Sequence, residues 1–189
     1  MQLLQNLLIG SNRGYIVVFN HQITMSKKPL QIIEAQEVLD KVRFEGGTAI
    51  YDAIGETCTK ILSRSGNPNL LRRTIILITD GEDNSSHINH VKAEEFALEN
   101  GVAIYSLATD NSDSRGNQFL RDASNITGGQ VVKTTNIEEG VTPLLTAIHG
   151  QWSMSLVPFQ ARDQKWHSLT VKTSKQDVLL SAPAMIFLH

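Results

Sequence analysis

From Tyr15 to Ile148 the chain alternates two kinds of apolar pattern. Short continuous runs rich in β-branched residues, Tyr15 to Phe19, Thr74 to Thr79 and Val102 to Leu107, predict strands. Between them apolar positions recur at three- and four-residue steps, the signature of a helix with one buried face. Ile32, Ile33, Ala35, Val38, Leu39 and Val42 give such a face within Gln31 to Val42. Ile50, Ala53, Ile54, Thr57, Cys58, Ile61 and Leu62 give a longer one after a glycine pair. A further helix is predicted from Asn89 to Glu99, ended by Asn100-Gly101 as a left-handed cap would end it. Gln22 to Met25 returns from the first strand as an edge hairpin. Phe119 to Asn125 predicts a short helix, Gly128-Gly129 a turn, Gln130 to Lys133 a short strand, and Ile137 to Ile148 a last amphipathic helix. Strand and helix in alternation define an α/β class. Thr74 to Thr79 has no polar alternation, so it is expected to be buried on both faces inside a parallel sheet.

Beyond Gly150 the period changes to two. Trp152 to Val157, Trp166 to Val171 and the run from Val178 suit antiparallel strands. The chain is therefore expected to divide into an α/β domain at 1–149 and a C-terminal β extension at 150–189, packed on or beside it.

Composition narrows the function classes. The chain has 189 residues, 41% of them hydrophobic, which suits one globular domain with an appendage. A net charge of −2 and the lack of a basic stretch with interleaved aromatics give no electrostatic reason for a nucleic-acid partner. No apolar run reaches membrane-spanning length, so no membrane insertion is expected, and the start has no signal-peptide pattern. The single cysteine, Cys58, falls on a predicted apolar face, where a buried small hydrophobe is its expected role.

Two loops carry candidate chemistry. Asp80-Gly81 ends the Thr74 strand, and in an open α/β sheet ligands bind beyond the carboxyl ends of the strands. Asp-Gly is equally an ordinary turn pair. Gly46-Gly47-Thr48 precedes a helix, so the Thr48 hydroxyl can cap that helix by accepting a backbone N–H. Alternatively the glycines admit a ligand close to the backbone, and the hydroxyl serves as a hard ligand for Mg²⁺. The residues alone leave both pairs of alternatives open.

Taken together, Gly46-Gly47-Thr48-Ala49-Ile50-Tyr51-Asp52-Ala53-Ile54 and Arg72-Arg73-Thr74-Ile75-Ile76-Leu77-Ile78-Thr79-Asp80-Gly81-Glu82-Asp83 resemble the von Willebrand factor type A family, in particular its bacterial members. The resemblance implies a doubly wound, mostly parallel Rossmann-like sheet flanked by helices. It also implies a metal-ion-dependent adhesion site built from three loops: a D-x-S-x-S loop after the first strand, a Thr in the second and an Asp in the third. Thr48 and Asp80 match the second and third. No D-x-S-x-S precedes Thr48, and Met1 to Leu8 resembles the later part of the helix that follows the family's first strand. Asp110-Asn111-Ser112-Asp113-Ser114 has the right letters but follows a later strand, and is expected to be a loop.

Three expectations follow. A strand, its loop and part of a helix, on the order of 20 to 30 residues, lie upstream of the chain's first residue. The Tyr15 and Thr74 strands, neighbours of that central first strand, remain separated, are pulled together, or recruit a surrogate; the isolated chain is then poorly soluble or oligomeric. The metal site is incomplete, with weak or absent Mg²⁺ binding at Thr48 and Asp80. The implied function is a non-enzymatic interaction and adhesion module whose partner is a protein presenting an acidic side chain. Relatives are often exported, so the resemblance also implies an extracytoplasmic location.

Other constellations give alternatives. His87 and His90 are spaced to share a helix face for zinc, without a third ligand of matching spacing. Glu82 and Asp83 beside Asp80 suit either a metal-assisted hydrolase or phosphotransferase, or capping of the helix that follows. The phosphate-binding G-x-x-x-x-G-K-[ST], G-x-G-x-x-G and the nucleophile elbow G-x-S-x-G do not occur. A structural scaffold with a vestigial metal site is the third alternative.

Overall fold

The computed structural model describes residues 2–8, 12–43, 46–62, 72–109, 115–152, 165–175 and 180–187. In chain order the elements are α1 (Gln2–Leu7), β1 (Val17–Phe19), β2 (Ile23–Met25), α2 (Ile32–Leu39), α3 (Ile50–Glu56), β3 (Arg73–Thr79), α4 (His90–Glu99), β4 (Val102–Ala108), α5 (Arg115–Thr127), β5 (Val131–Lys133), α6 (Ile137–His149), β6 (Trp166–Ser168) and β7 (Met185–Phe187). α3 runs on into a π-helical turn at Thr57–Ile61. There the Thr57 and Thr59 hydroxyls donate back to the Ala53 and Gly55 carbonyls at 2.7 and 2.8 Å, competing with the regular ladder. α4 is capped by Asn89, whose Oδ1 accepts the Lys92 N–H at 2.9 Å, and it ends at Gly101 with φ of 60°, the left-handed residue expected there.

β3, β4 and β5 form a parallel sheet in that order, and β3 pairs with β4 from Arg73 opposite Val102 to Thr79 opposite Ala108. The pleat assigns alternate side chains to opposite layers. Val102, Ile104 and Ala108 pack with Ile50, Ile54 and Cys58 of the α3 segment, Ala93 and Ala97 of α4, and Leu120 and Ala123 of α5. Tyr105 and Leu107 face Leu144, Ala147 and Ile148 of α6, with Leu3 of α1 beside them. Helices thus cover both faces of the sheet, as the alternation of elements requires. Three polar side chains inside this core are satisfied locally: Ser106 and Ser124 hydroxyls lie 3.2 Å apart, and the Thr127 hydroxyl accepts the Ile104 N–H at 3.0 Å.

The fully covered strand is β4 rather than β3. From Val102 to Ala108 every residue but Ala103 is buried, whereas Ile75 and Ile76 are half-buried and Ile78 is 43% exposed. The expectation that Thr74 to Thr79 is buried on both faces is corrected accordingly. β3 is hydrogen-bonded as a strand only to β4 among the described residues, and the uncovered edge leaves its side chains half open. β1 and β2 form a separate antiparallel hairpin, so the strand at Tyr15 and the strand at Thr74 stay in different sheets. Both border α3: Phe19 and Ile75 pack against the same cluster, and the Ala49 N–H donates to Asn20 O at 2.9 Å.

In the C-terminal part, β6 and β7 pair antiparallel, with strands shorter than the alternation predicted. β7 begins at Met185, and the described residues before it, 180–184, are not strand, since Pro183 interrupts the run and donates no N–H. The segment before it is fastened to the end of α5, where the Ala184 N–H donates to Ile126 O at 2.9 Å and the Ser181 hydroxyl to Gly129 O at 2.8 Å. The alternation at 153–157 and the stretch 110–114 lie outside the described residues. Among the described residues no helix is long and apolar enough to cross a membrane.

Candidate functional site

The strand-to-helix loop after β3 and the loop before α3 interlock. The Thr48 N–H donates to Asn84 Oδ1 at 2.8 Å, and the Thr48 carbonyl accepts the N–H groups of Asn84 and Ser85 at 3.0 and 3.1 Å. A Cβ on Gly47 would overlap Ser85 Oγ and Asn84 Oδ1, so only glycine admits this approach. One turn further on, two of the orphan amides of α3 are taken by the same loop. Tyr51 N–H donates to Asp83 Oδ2 at 3.1 Å and Asp52 N–H to Ser86 Oγ at 3.0 Å. Ser86 in turn donates its hydroxyl to Asp83 Oδ2 at 2.6 Å and its N–H to Oδ1 at 3.1 Å.

The capping alternative for Thr48 is therefore not what the structure contains. The residue at the N-cap is Ala49, without a side-chain cap, and Asp83 and Ser86 supply the acceptors. The Thr48 hydroxyl has no hydrogen-bond partner among the described residues. Asp80 does serve as a turn residue, its Oδ1 accepting the Glu82 N–H at 3.1 Å, while its Oδ2 has no hydrogen-bond partner among the described residues. Gly81 follows with φ of 85°, and any Cβ there would overlap the Gly116 backbone at the start of α5. Glu82 Oε1 accepts the Gly116 N–H at 3.1 Å, a carboxylate at a helix N-terminus.

Glu82 and Asp83 thus do cap helices, but α5 and α3 rather than the helix that follows them in sequence. That following helix, α4, already has Asn89. The loop after β3 consequently ties together the starts of two helices that flank the sheet's carboxyl edge.

Asp52 was not singled out from the sequence, and it makes the return stitch. Its carboxylate accepts the N–H groups of His87 and Ile88 at 2.9 to 3.0 Å, and His87 Nδ1 lies 2.8 Å from Oδ2. Burial pushes this carboxyl up, and the backbone N–H groups of His87 and Ile88, with the His87 ring, outweigh it, so its pKa lies below the ordinary value. The only signal in sequence was an acidic residue in the first turn of a predicted helix. His87 is engaged by Asp52, and His90 stands edge-on to Tyr51 with ring centroids 6.2 Å apart. Among the described residues no group of three His, Cys, Asp or Glu side chains is placed to hold a metal ion. Cys58 is buried as expected, and burial pushes its thiol up to about 12.

A parallel sheet covered on both faces, with polar loops gathered beyond its carboxyl edge, defines an open, doubly wound α/β protein. Comparison with solved structures makes this more particular. The chain is similar to an aerotolerance-related membrane protein from Bacteroides fragilis NCTC 9343, with a TM-score of 0.61 and 17% identity over 79% of this chain and 86% of that one. It is similar to a von Willebrand factor type A protein from Catenulispora acidiphila, with a TM-score of 0.59 and 16% identity over 76% of this chain and 34% of the other. A third likeness is to proximal thread matrix protein 1 of the mussel byssus, solved with a zinc-occupied MIDAS motif, at a TM-score of 0.57 and 16% identity, covering 76% of this chain and 39% of that one. The chain thus spans well under half the length of the last two. No family model and no curated protein matches it. At these identities the likeness defines the fold, and the fold is that of a von Willebrand factor type A domain.

Proposed function

We propose that the chain is a protein-interaction module that engages an acidic side chain of its partner through a divalent cation held at Thr48 and Asp80. The observation that carries this reading is the state of the Thr48 hydroxyl. The groups that stitch the two loops together are committed: Thr48's own N–H and carbonyl to Asn84 and Ser85, and the Tyr51 and Asp52 N–H groups to Asp83 and Ser86. The hydroxyl and Asp80 Oδ2 are left over, two hard oxygens on loops fastened to each other. Oxygen donors without sulfur or imidazole suit Mg²⁺, which keeps several waters and needs few protein ligands. A bound cation would join the protein oxygens to a partner carboxylate through an open position. With two protein donors the cation is held weakly, so Mg²⁺ is expected to bind only at high concentration. A structure of the same fold carries zinc in its MIDAS motif, which supports divalent-cation chemistry in this fold without choosing the ion.

The hydrolase alternative needs free carboxylates near Asp80. Glu82 and Asp83 are instead occupied as helix caps, which favours binding over turnover.

Capture of an immobilised Asp- or Glu-bearing peptide in Mg²⁺ or Mn²⁺, with and without chelator, tests the proposal. Expected is chelator-sensitive capture, lost in Thr48→Ala and Asp80→Ala while the melting temperature is kept. Capture that ignores chelator points to the scaffold alternative. Asp80-dependent turnover of a phosphoester sinks the proposal in favour of an enzyme.

A further inference from the structure

We infer that Asn84, seated against Gly47, is the positioning residue for the Thr48 hydroxyl; its consequence for ligand binding rests on the cation reading above. Four hydrogen bonds fix the two peptide planes on either side of the Thr48 Cα. The plane before it is held by Thr48 N–H to Asn84 Oδ1 at 2.8 Å. The plane after it is held by the Thr48 carbonyl, which accepts Asn84 and Ser85 N–H at 3.0 and 3.1 Å, and by Ala49 N–H donating to Asn20 O at 2.9 Å. With both planes set, φ and ψ of Thr48 are set, and the side chain retains χ1 alone. A β-branched side chain has few χ1 choices, so fixing the backbone largely fixes where the hydroxyl points.

Among these restraints one is made by a side chain of the loop after β3. Asn84 Oδ1 receives both the Thr48 N–H and the Ser85 hydroxyl, at 2.8 Å each. Two donors converge on one atom, which requires the amide oxygen there and settles the orientation of the Asn84 amide. The space for this oxygen exists because residue 47 has no Cβ. Asp83 and Ser86, on either side of the Asn84-Ser85 pair, serve a different purpose: they hold the Tyr51 and Asp52 amides and hydrogen-bond neither the Thr48 N–H nor its carbonyl. The two tasks are therefore separable by mutation.

Residue-resolved amide exchange on the full chain, alone and with Mn²⁺ as the paramagnetic probe, tests the assignment in Asn84→Ala and Asn84→Asp. In Asn84→Ala the Thr48 amide is expected to exchange about fivefold faster, the effect of one lost hydrogen bond. The Tyr51 and Asp52 amides keep their wild-type rates. Asn84→Asp, which retains an acceptor oxygen, restores Thr48 protection. Mn²⁺ broadening of the Thr48 resonances follows the same order, present in wild type and Asn84→Asp and lost in Asn84→Ala. Unchanged Thr48 exchange in Asn84→Ala overturns the inference, as does equal acceleration at Thr48, Tyr51 and Asp52, which would mark a general loosening of the loop. Selective acceleration at Thr48 in a protein that Mn²⁺ never broadens upholds the positioning role and overturns the cation reading instead.

Discussion

Replacing Asp52 by Ala removes the acceptor that α3 offers to the loop leading into α4. Two backbone donors lose a charged partner: the His87 N–H, on an exposed residue that water can reach, and the Ile88 N–H, which is part-buried. A hydrogen bond to a charged group contributes about 1.5–3 kcal/mol, and water recovers most of the His87 share, so the loss is expected to be about 2 kcal/mol. For a chain of this length that lowers the melting temperature by about 4–8 °C. The pH dependence gives a sharper test. Because the donors hold the folded Asp52 carboxyl below its ordinary value of 3.8, its stabilisation is present above the unfolded pKa and is lost as pH falls through the folded one. Urea unfolding of wild type and Asp52→Ala should therefore differ by the full amount at pH 5 to 7 and converge below about pH 4. Asp52→Asn, which keeps one acceptor oxygen, should fall between them. A difference under about 0.5 kcal/mol at pH 7, or one that stays constant down to about pH 2.5, would refute the claim that this carboxylate fastens the loop.

Gly81→Ala places a Cβ on a residue with φ of 85° and against the Gly116 backbone, so it should destabilise by about 2 kcal/mol or more in urea unfolding; a neutral result would mean that the Asp80 loop is not clamped to α5. Glu94 has a carboxyl pushed up first by burial, with Asp122 raising it further against the opposing effect of His90, and its Oε1 has no hydrogen-bond partner among the described residues. A raised folded pKa means stability that is present below the ordinary value of 4.5 and lost as pH rises through the folded value. Glu94→Gln should accordingly be more stable than wild type at pH 7, by up to about 1 kcal/mol, with the gain gone near pH 4; thermal melts across that range decide it. Ser106→Ala and Ser124→Ala each strand a buried hydroxyl and should cost about 1 kcal/mol, whereas the double variant should cost less than the sum; strict additivity would deny the pairing.

The class of fold was legible because its elements announce themselves by period. β-branched runs and three-to-four spacing located nearly every element between Tyr15 and Ile148, and Asn100-Gly101 marked the end of α4 through backbone sterics that only glycine satisfies easily. The degree of burial was not legible in the same way. Thr74 to Thr79 and Val102 to Leu107 carry similar apolar patterns, yet Ile78 is 43% exposed while Leu107 is fully buried. What separates them is the number of neighbouring strands, a property of topology that a local pattern does not contain. The same holds for the C-terminal alternation, where Pro183 and contacts to the end of α5 decide where β7 starts.

The candidate site divides along a related line. Thr48 and Asp80 stood out because each sits at a strand or helix end with a glycine beside it. Their supporting residues did not, since Asn84, Asp83, Ser86 and Asp52 act across gaps of more than 30 residues, and nothing in their immediate sequence names the partner. Helix N-termini explain why polar residues had to converge here. α3 brings unpaired amides to the carboxyl edge of the sheet, and the loop after β3 passes that point carrying acceptors in nearly every position. Once Asp83 and Ser86 have taken the amides and Asn84 has taken Thr48 N–H, the loop has few uncommitted acceptors left. The Thr48 hydroxyl is spared from capping by its neighbours' work, and a threonine relieved of that local duty keeps its oxygen uncommitted among the described residues, at the carboxyl edge of the sheet.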